Sequence, residues 1–357
     1  MTRPFGGPRW HVSCAVKHSQ LPWVYNPKAR SYGTVTVCVA GIGNHGLTLV
    51  LASDRMISGL SQFQMTTPKI VQLTSSIAVM WSGNDASFQA LIHAALKRDV
   101  AARIAANKDD WLTVQEVAFL YQHHYNEARR HRLEQAVLQP FGLTLDSFTA
   151  SQEDFAPQLA LDRAREIRAF RVAELSALIV GMDLTGPPLS GGNPGPIAHI
   201  YKFDAYGAEG TVSCEDVMGF ASIGAGEFHA VSALMNAVHG PTRNLDETVV
   251  NVFVAKKRGE ASPGVGTETD LYYFQWRPNL PGVFTPIADD VRDFLEAEYT
   301  KLRKAEGMLL VEAKNSLNAM VDKKAATSTS QATPPVQSTP AEVGAAPPPV
   351  DDDKKNP

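Results

Sequence analysis

Residues 33–70 limit what this chain can fold into more than any other segment does. They read GTVTVCVAGIGNHGLTLVLASDRMISGLSQFQMTTPKI, and runs rich in Val, Leu and Thr predict strands over Val35–Ala40 and Leu47–Ser53. Asn44-His45-Gly46 between them predicts a hairpin tip, because glycine readily adopts a positive φ. The GxGxxG match at 41–46 is therefore not a dinucleotide-binding loop, which would need a helix rather than a strand after it.

Three side chains of different chemistry lie at the ends of these predicted strands. Thr34 opens the first strand, Asp54 ends the second, and Lys69 follows the next loop. A hydroxyl, a carboxylate and a cation are parts of an activated nucleophilic site, provided that the fold brings them together. Residues 1–33, which contain four prolines, are either an irregular tail or a segment removed before Thr34.

The overall composition excludes several classes of function. The chain has 357 residues and a formal net charge of -4, so no field of one sign points to nucleic acid or to an anionic membrane. It contains neither an apolar run of the roughly 18–20 residues that span a membrane nor the apolar core of a secretory signal. Its three cysteines are widely spaced, which fits neither a disulfide framework nor a zinc site. We therefore expect a cytoplasmic protein with no metal or other cofactor and with no nucleic-acid or membrane partner.

Downstream of this segment, predicted strands alternate with pairs of predicted helices. Strands are expected at Lys69–Leu73, Ile77–Ser82, Leu178–Asp183, Ala198–Asp204 and Asp270–Trp276. Helices are expected from about Phe88 to Ala106, from a capping box at Thr113, over Glu227–Val238, and from Asn244 to about Lys257. Helix pairs cover the faces of antiparallel sheets, whereas a doubly wound parallel sheet has single crossovers, so we predict an α+β fold.

Three segments fall outside this regular pattern. Residues 137–173 are predicted to be an insertion that ends in a charged, exposed helical piece. Val291–Ala319 is predicted to be a last charged helix, and residues 325–357, which are rich in Ala, Thr and Pro, are predicted to be disordered. The sequence thus indicates an N-terminal extension over 1–33, one domain over 34–320 and a disordered tail.

Several of these motifs, in this order and spacing, resemble a known family. They are GTVTVCVAG, LVLASDR, PKI, AVMWSGNDASFQALI, ALIVGMD, HIYKFDAYG, GFASIGAGEFHAVSAL and NLDETVVNVFVAKK. Together they are similar to a proteasome-type β subunit, and the resemblance covers roughly residues 33–130 and 176–275. It implies the fold of N-terminal-nucleophile hydrolases, a four-layer αββα sandwich of two mainly antiparallel sheets.

The resemblance also implies a reaction and a set of site residues. Thr34 would be the nucleophile of a threonine-type endopeptidase after cleavage of the Gly33-Thr34 bond, with its own α-amine as the base. Lys69 would supply the cation at the nucleophile, and Asp54 would hold that lysine in place. The oxyanion and positioning groups would come from two turns, Ser82-Gly83 and Gly224-Ala225-Gly226. A ring or helical self-assembly acting on peptides or proteins would follow, and the sequence does not identify an ATPase partner.

The chain departs from the family pattern at several positions. Ala225 stands where the family has the serine of its Gly-Ser-Gly turn, and the family's late Asp-x-x-Ser-Gly segment has only Glu260 and Ser262 as loose counterparts. Thr36 is an alternative nucleophile frame, although no glycine precedes it. Two other functions therefore stay open: a catalytically inactive structural subunit of the same fold, and a small-molecule amidase.

Overall fold

The computed structural model describes residues 36–58, 62–64, 68–106, 112–183, 196–206, 209–276 and 283–330. The chain divides into two compact units after Leu295. The predicted N-terminal extension, Thr34 and the tail beyond residue 330 lie outside the described residues.

The described residues form strands and helices in the predicted alternation. The strands are β1 (Cys38–Gly43), β2 (Thr48–Ser53), β3 (Met56–Ser58), β4 (Gln62–Gln64), β5 (Ile70–Gln72), β6 (Ile77–Gly83), β7 (Leu175–Asp183), β8 (Ile197–Ala205), β9 (Thr211–Cys214), β10 (Phe220–Ile223), β11 (Asp270–Gln275) and β12 (Thr285–Pro286). The helices are α1 (Ala86–Ala106), α2 (Val114–Leu133), α3 (Leu145–Ala150), α4 (Pro157–Ala169), α5 (Glu227–Asn236), α6 (Leu245–Gly259) and α7 (Asp289–Ser330).

Two five-stranded sheets, both antiparallel, form the centre of the first unit. Their strand orders are β10-β1-β2-β11-β12 and β5-β6-β7-β8-β9, and β3 and β4 form a separate two-stranded ribbon. The predicted hairpin tip between β1 and β2 is confirmed, because Asn44, His45 and Gly46 have φ values of 49°, 56° and 89°. The GxGxxG match is thus the end of β1 followed by the turn into β2.

The two sheets face each other and carry helices on their outer faces. Apolar side chains from β1, β2, β10 and β11 meet those from β6, β7 and β8 in one shared core. On the far side of the second sheet, α1 and α2 contribute a second core against β6, β7 and β8. Helix α6 packs on β1 and β2, and α5 packs on β10. The prediction of an α+β fold with helix pairs over antiparallel sheets is confirmed.

Local sequence signals place the helix starts correctly. The Thr113 hydroxyl accepts a hydrogen bond from the Glu116 N–H at 3.2 Å, and the Glu116 carboxylate accepts from the Thr113 N–H at 2.9 Å. Asn244 and Glu247 form the same reciprocal pair at 2.8 and 3.2 Å. These capping boxes satisfy amide groups that have no partner inside the helix.

The insertion between α2 and β7 has a small core of its own. Leu133, Val137, Leu138 and Phe148 pack together there. Helix α4, the charged piece, buries none of its side chains, as predicted.

The last helix is longer than the sequence predicted. It continues to Ser330, past residue 325, where disorder was expected to begin. Lysine and alanine at 323–326 are strong helix formers, which explains the extension. Every described helix is too short or too polar to span a lipid bilayer.

Candidate active site

A buried lysine connects two of the candidate residues. Lys69 precedes β5 and has 0% of its surface exposed, as does Asp54. Its Nζ donates to Asp54 Oδ1 at 2.9 Å and also to Thr36 Oγ1. Burial of an ammonium group away from water costs several kcal/mol of free energy unless an anion and other hydrogen-bond acceptors surround it. The carboxylate and the hydroxyl supply such partners, and the arrangement fixes the Lys69 charge at the threonine oxygen.

Asp54 is fixed by the backbone on both sides of the site. It follows β2, where its N–H donates to the Val37 carbonyl at 3.2 Å and thereby extends the β1–β2 ladder. Its Oδ1 accepts from the Val37 N–H at 3.2 Å, and its Oδ2 accepts from the Gly266 N–H at 2.9 Å. The carboxylate therefore cannot swing away from Lys69 without breaking hydrogen bonds to two chain segments.

The threonine that meets Lys69 is Thr36. The sequence placed the nucleophile at Thr34, with Thr36 as the alternative frame; Thr34 lies outside the described residues. In the strand predicted from the sequence, positions 34 and 36 fall on the same face, so the expected alternation of side chains could not separate the two threonines. The register places Thr36 at the ion pair, because Val37 lies opposite Asp54 and Thr36 is next to Val37.

The predicted turn at 224–226 touches the backbone of Thr36. The Gly226 N–H donates to the Thr36 carbonyl at 3.2 Å. Gly224 has φ +94°, and a Cβ there would overlap the Thr36 carbonyl and lie 2.8 Å from Ser82 Oγ. Ala225 between them is exposed and offers only a methyl group. The turn therefore positions the Thr36 main chain, without the hydroxyl that the family resemblance implies at Ala225.

Ser82 and Gly83 end strand β6 on the opposite sheet. Ser82 is completely buried, and its hydroxyl has no hydrogen-bond partner among the described residues, close to Gly224. Gly83 pairs with Leu175 of β7, and a Cβ at Gly83 would lie 3.1 Å from the Glu174 carbonyl. Ser82 is thus brought to the Thr36 region, whereas Gly83 contacts β7 and the residue before it.

A second buried lysine, which the sequence analysis missed, supports the site from behind. Lys256 on α6 has 0% of its surface exposed, and its Nζ donates to Glu260 Oε1 at 2.6 Å, Glu268 O at 2.9 Å and Thr269 Oγ1 at 2.8 Å. It also donates to Gly266 O at 3.2 Å. Burial lowers the pKa of the Lys256 ammonium, and the Glu260 charge opposes that shift. The lysine holds the loop that provides the Gly266 N–H to Asp54.

The loose candidates Glu260 and Ser262 belong to this supporting loop. Glu260 pairs with Lys256 and, at 2.9 Å, with Lys257, and its described contacts are not with Thr36. The spacing of Lys256 and Glu260 by four residues was visible in the sequence, but it is equally typical of an exposed helix pair. Only the burial of Lys256 distinguishes the two cases.

A cysteine near the site does not offer a competing nucleophile. Cys38 on β1 is completely buried, and its Sγ donates to the Trp81 carbonyl at 3.5 Å. Burial raises the pKa of the Cys38 thiol, so it stays protonated and unreactive. The hydroxyl of Thr36 is therefore the better candidate.

Neither metal chemistry nor a relative suggests a different assignment. Within the described part of the chain, no group of three or more His, Cys, Asp or Glu side chains is arranged to hold a metal ion. Comparison of the chain with protein-family models and with curated proteins found no match. The arrangement of Thr36, Lys69 and Asp54 therefore carries the functional argument.

Proposed function

We propose that this chain is the precursor of an N-terminal-threonine amide hydrolase, with Thr36 as the nucleophile. The observation that carries the proposal is the buried Lys69 ammonium, which donates to both Asp54 and the Thr36 hydroxyl. The α+β sandwich, with its helix pairs over two antiparallel sheets, supports the N-terminal-nucleophile hydrolase fold suggested by the motifs. Peptides are the substrate class that the resemblance favours.

The proposed reaction requires cleavage of the Val35-Thr36 bond, because only then does Thr36 have a free α-amine. Such an amine has a reference pKa of about 8, which suits it to accept a proton near neutral pH. It would take the hydroxyl proton while Oγ1 attacks the amide carbonyl of the substrate. The protonated amine would then give that proton to the leaving nitrogen as the C–N bond breaks. Water would hydrolyse the resulting ester and return the hydroxyl.

Lys69 would stabilise the negative charge that develops in this reaction. Its ammonium stabilises negative charge on Oγ1 during attack, and Asp54 keeps the ammonium in place. Charges that are already fixed in a buried site stabilise a transition state strongly, because no solvent has to reorganise during the reaction. We propose that the buried Ser82 hydroxyl serves as an oxyanion donor and supplies part of what Ala225 lacks, together with the N–H groups of the 224–226 turn other than that of Gly226, which donates to the Thr36 carbonyl.

A non-catalytic structural subunit of the same fold is the second candidate. Two residues favour it: Val35 precedes Thr36, where the resemblance implies glycine at the cleavage point, and Ala225 replaces the expected serine. In that case the Lys69–Asp54 pair would be purely structural, and the chain would contribute a surface to a ring or helical assembly. A small-molecule amidase would share the Thr36 chemistry and differ only in substrate.

Intact mass and labelling together test the proposal. The purified protein is expected to contain a species that begins at Thr36 and that an epoxyketone or β-lactone modifies at its N-terminus. Thr36→Ala should abolish both cleavage and labelling, whereas Thr34→Ala is the matched control and should leave both intact. A species that begins at Thr34, or loss of labelling only in Thr34→Ala, would show that Thr34 and not Thr36 is the nucleophile. Full-length protein that stays unlabelled would refute hydrolysis and favour the structural subunit.

Once labelling is established, a comparison of peptide and small-amide substrates identifies the substrate class. Release of a fluorophore from short acylated peptides would favour a peptidase. Turnover confined to small amides would favour the amidase.

A further inference from the structure

Most of α7 belongs to the second unit, and that part of the helix has an unusual number of exposed apolar side chains. The residues concerned in α7 are Leu302 at 42%, Met308 at 66%, Leu309 at 65%, Leu310 at 72%, Val311 at 59%, Leu317 at 61%, Met320 at 70% and Val321 at 57% exposed. Large contiguous apolar patches are uncommon on monomers and typically mark an interaction surface. A long helix in water also gains most of its stability from packing one apolar face against a partner.

Six of the aromatic and apolar positions form a single stripe. An α-helix advances about 100° per residue, so residues 299, 302, 309, 310, 317 and 320 fall within an arc of about 100°. Met308 and Val311 lie on the other side of the helix by the same count. The stripe therefore has the width of one helix-packing face.

Between Tyr299 and Met320 the stripe has the same spacing in both directions along the chain. Its successive intervals are 3, 7, 1, 7 and 3 residues, with the midpoint between Leu309 and Leu310. If two copies run antiparallel about that midpoint, Leu302 of one lies beside Leu317 of the other, and Tyr299 lies beside Met320. A two-fold interface requires one surface that complements itself, and this stripe meets that requirement.

The charges distinguish an antiparallel pair from a parallel one. Glu306 lies on the stripe and would face Ala313 of an antiparallel copy, but a second Glu306 of a parallel one. Residues 289–298 carry five carboxylates and one arginine, whereas residues 321–330, which lie beside them in an antiparallel pair, carry two lysines and one aspartate. Antiparallel pairing places these oppositely charged ends side by side, and parallel pairing places like charges together.

We propose that α7 pairs with α7 of a second copy as an antiparallel two-helix interface centred on Leu309 and Leu310. The occupant of the stripe is thus the chain itself. The inference does not depend on the Thr36 chemistry, and it holds equally for an enzyme and for a structural subunit.

Site-specific cross-linking of the full chain tests the pairing and its direction. In a background with Cys14→Ser and Cys214→Ser, the double variant Leu302→Cys/Leu317→Cys should form a disulfide-linked dimer under mild oxidation. The two positions are about 22 Å apart within one helix, so they cannot bridge inside one chain. Each single variant should stay monomeric on a non-reducing gel. A covalent dimer of Leu302→Cys alone would overturn the antiparallel arrangement.

Sedimentation of the unoxidised protein provides a measurement that needs no cysteine. Leu309→Glu/Leu310→Glu should halve the mass of the assembly at micromolar concentration. Met308→Glu/Val311→Glu is the matched control, because it places the same two charges on the opposite side of the same helix turn, and it should leave the mass unchanged. Equal masses for both double variants, combined with an uncross-linked Leu302→Cys/Leu317→Cys protein, would refute pairing through this stripe.

Discussion

Replacement of Lys69 by methionine tests whether the pair with Asp54 is buried as described. Both side chains are 0% exposed, and Asp54 would keep the N–H groups of Val37 and Gly266 but lose its counter-ion. Removal of one member of a buried ion pair typically costs about 3–5 kcal/mol, because the remaining charge is desolvated without compensation. For a unit of this size we expect Tm to fall by about 10 °C.

A second substitution should recover part of that loss. In Lys69→Met/Asp54→Asn the carboxylate becomes a neutral amide, whose oxygen can still accept from a backbone N–H group. The double variant is expected to be more stable than Lys69→Met by about 1 kcal/mol or more, because no unpaired charge remains. Urea unfolding followed by circular dichroism at neutral pH measures the free energies of unfolding of the wild type, Lys69→Met, Asp54→Asn and the double variant.

An exposed lysine in an ion pair is the control for this experiment. Lys301 pairs with Glu298 at 2.6 Å, and its side chain is 72% exposed. Lys301→Met should leave the midpoint of urea unfolding almost unchanged, because exposed pairs contribute little. If Lys69→Met were as mild as Lys301→Met, or if the double variant lost the sum of the two single effects, a coupled buried pair at this site would be refuted.

Three further predictions concern the surroundings of the site. Gly224→Ala should destabilise the fold by about 2 kcal/mol or more, because φ is +94° and the new Cβ would overlap the backbone, whereas Gly307→Ala in the open middle of α7 should be tolerated. His93 is buried with a pKa lowered to about 4, chiefly by desolvation and then by the Lys97 charge, so it stays neutral in the fold while its unfolded counterpart binds a proton below about pH 6.5. The neutral His93 ring contributes fully to the free energy of unfolding above pH 6.5. That contribution, about 3 kcal/mol in total, is lost as the pH falls toward 4. His93→Phe should therefore flatten the pH dependence of the free energy of unfolding between these two pH values. Lys256→Met should accelerate amide hydrogen exchange in the 266–269 loop, which Lys256 holds.

Each of these predictions has an outcome that would contradict it. Equal stability of Gly224→Ala and Gly307→Ala would mean that the turn can relax away from Thr36. An unchanged acid limb in His93→Phe would mean that this ring gains its proton without unfolding. Lys257→Met is the control for Lys256→Met, because Lys257 pairs with the other oxygen of the same Glu260 carboxylate. Equal exchange rates in the two variants would show that Lys256 does not hold the loop.

Local patterns in the sequence determined the elements of the fold. The hairpin tip at 44–46 and the capping boxes at Thr113 and Asn244 depend on interactions between residues at most four apart, so they can be read directly. Alternating strands and helix pairs likewise predicted antiparallel sheets under helices. The end of α7 was placed too early, because a composition typical of disorder begins within a stretch of strong helix formers.

The tertiary structure decided which of these residues meet. The alternation predicted for a strand puts positions 34 and 36 on the same face, and only the β1–β2 register, with Val37 opposite Asp54, brings Thr36 to Lys69. In the sequence Lys256 has the pattern of an ordinary exposed helix lysine, and only its burial against the 266–269 loop distinguishes it. Sequence fixes the chemistry of each side chain and its local backbone preference. Contacts between segments far apart in the chain depend on how the two sheets stack, and no local pattern contains that information.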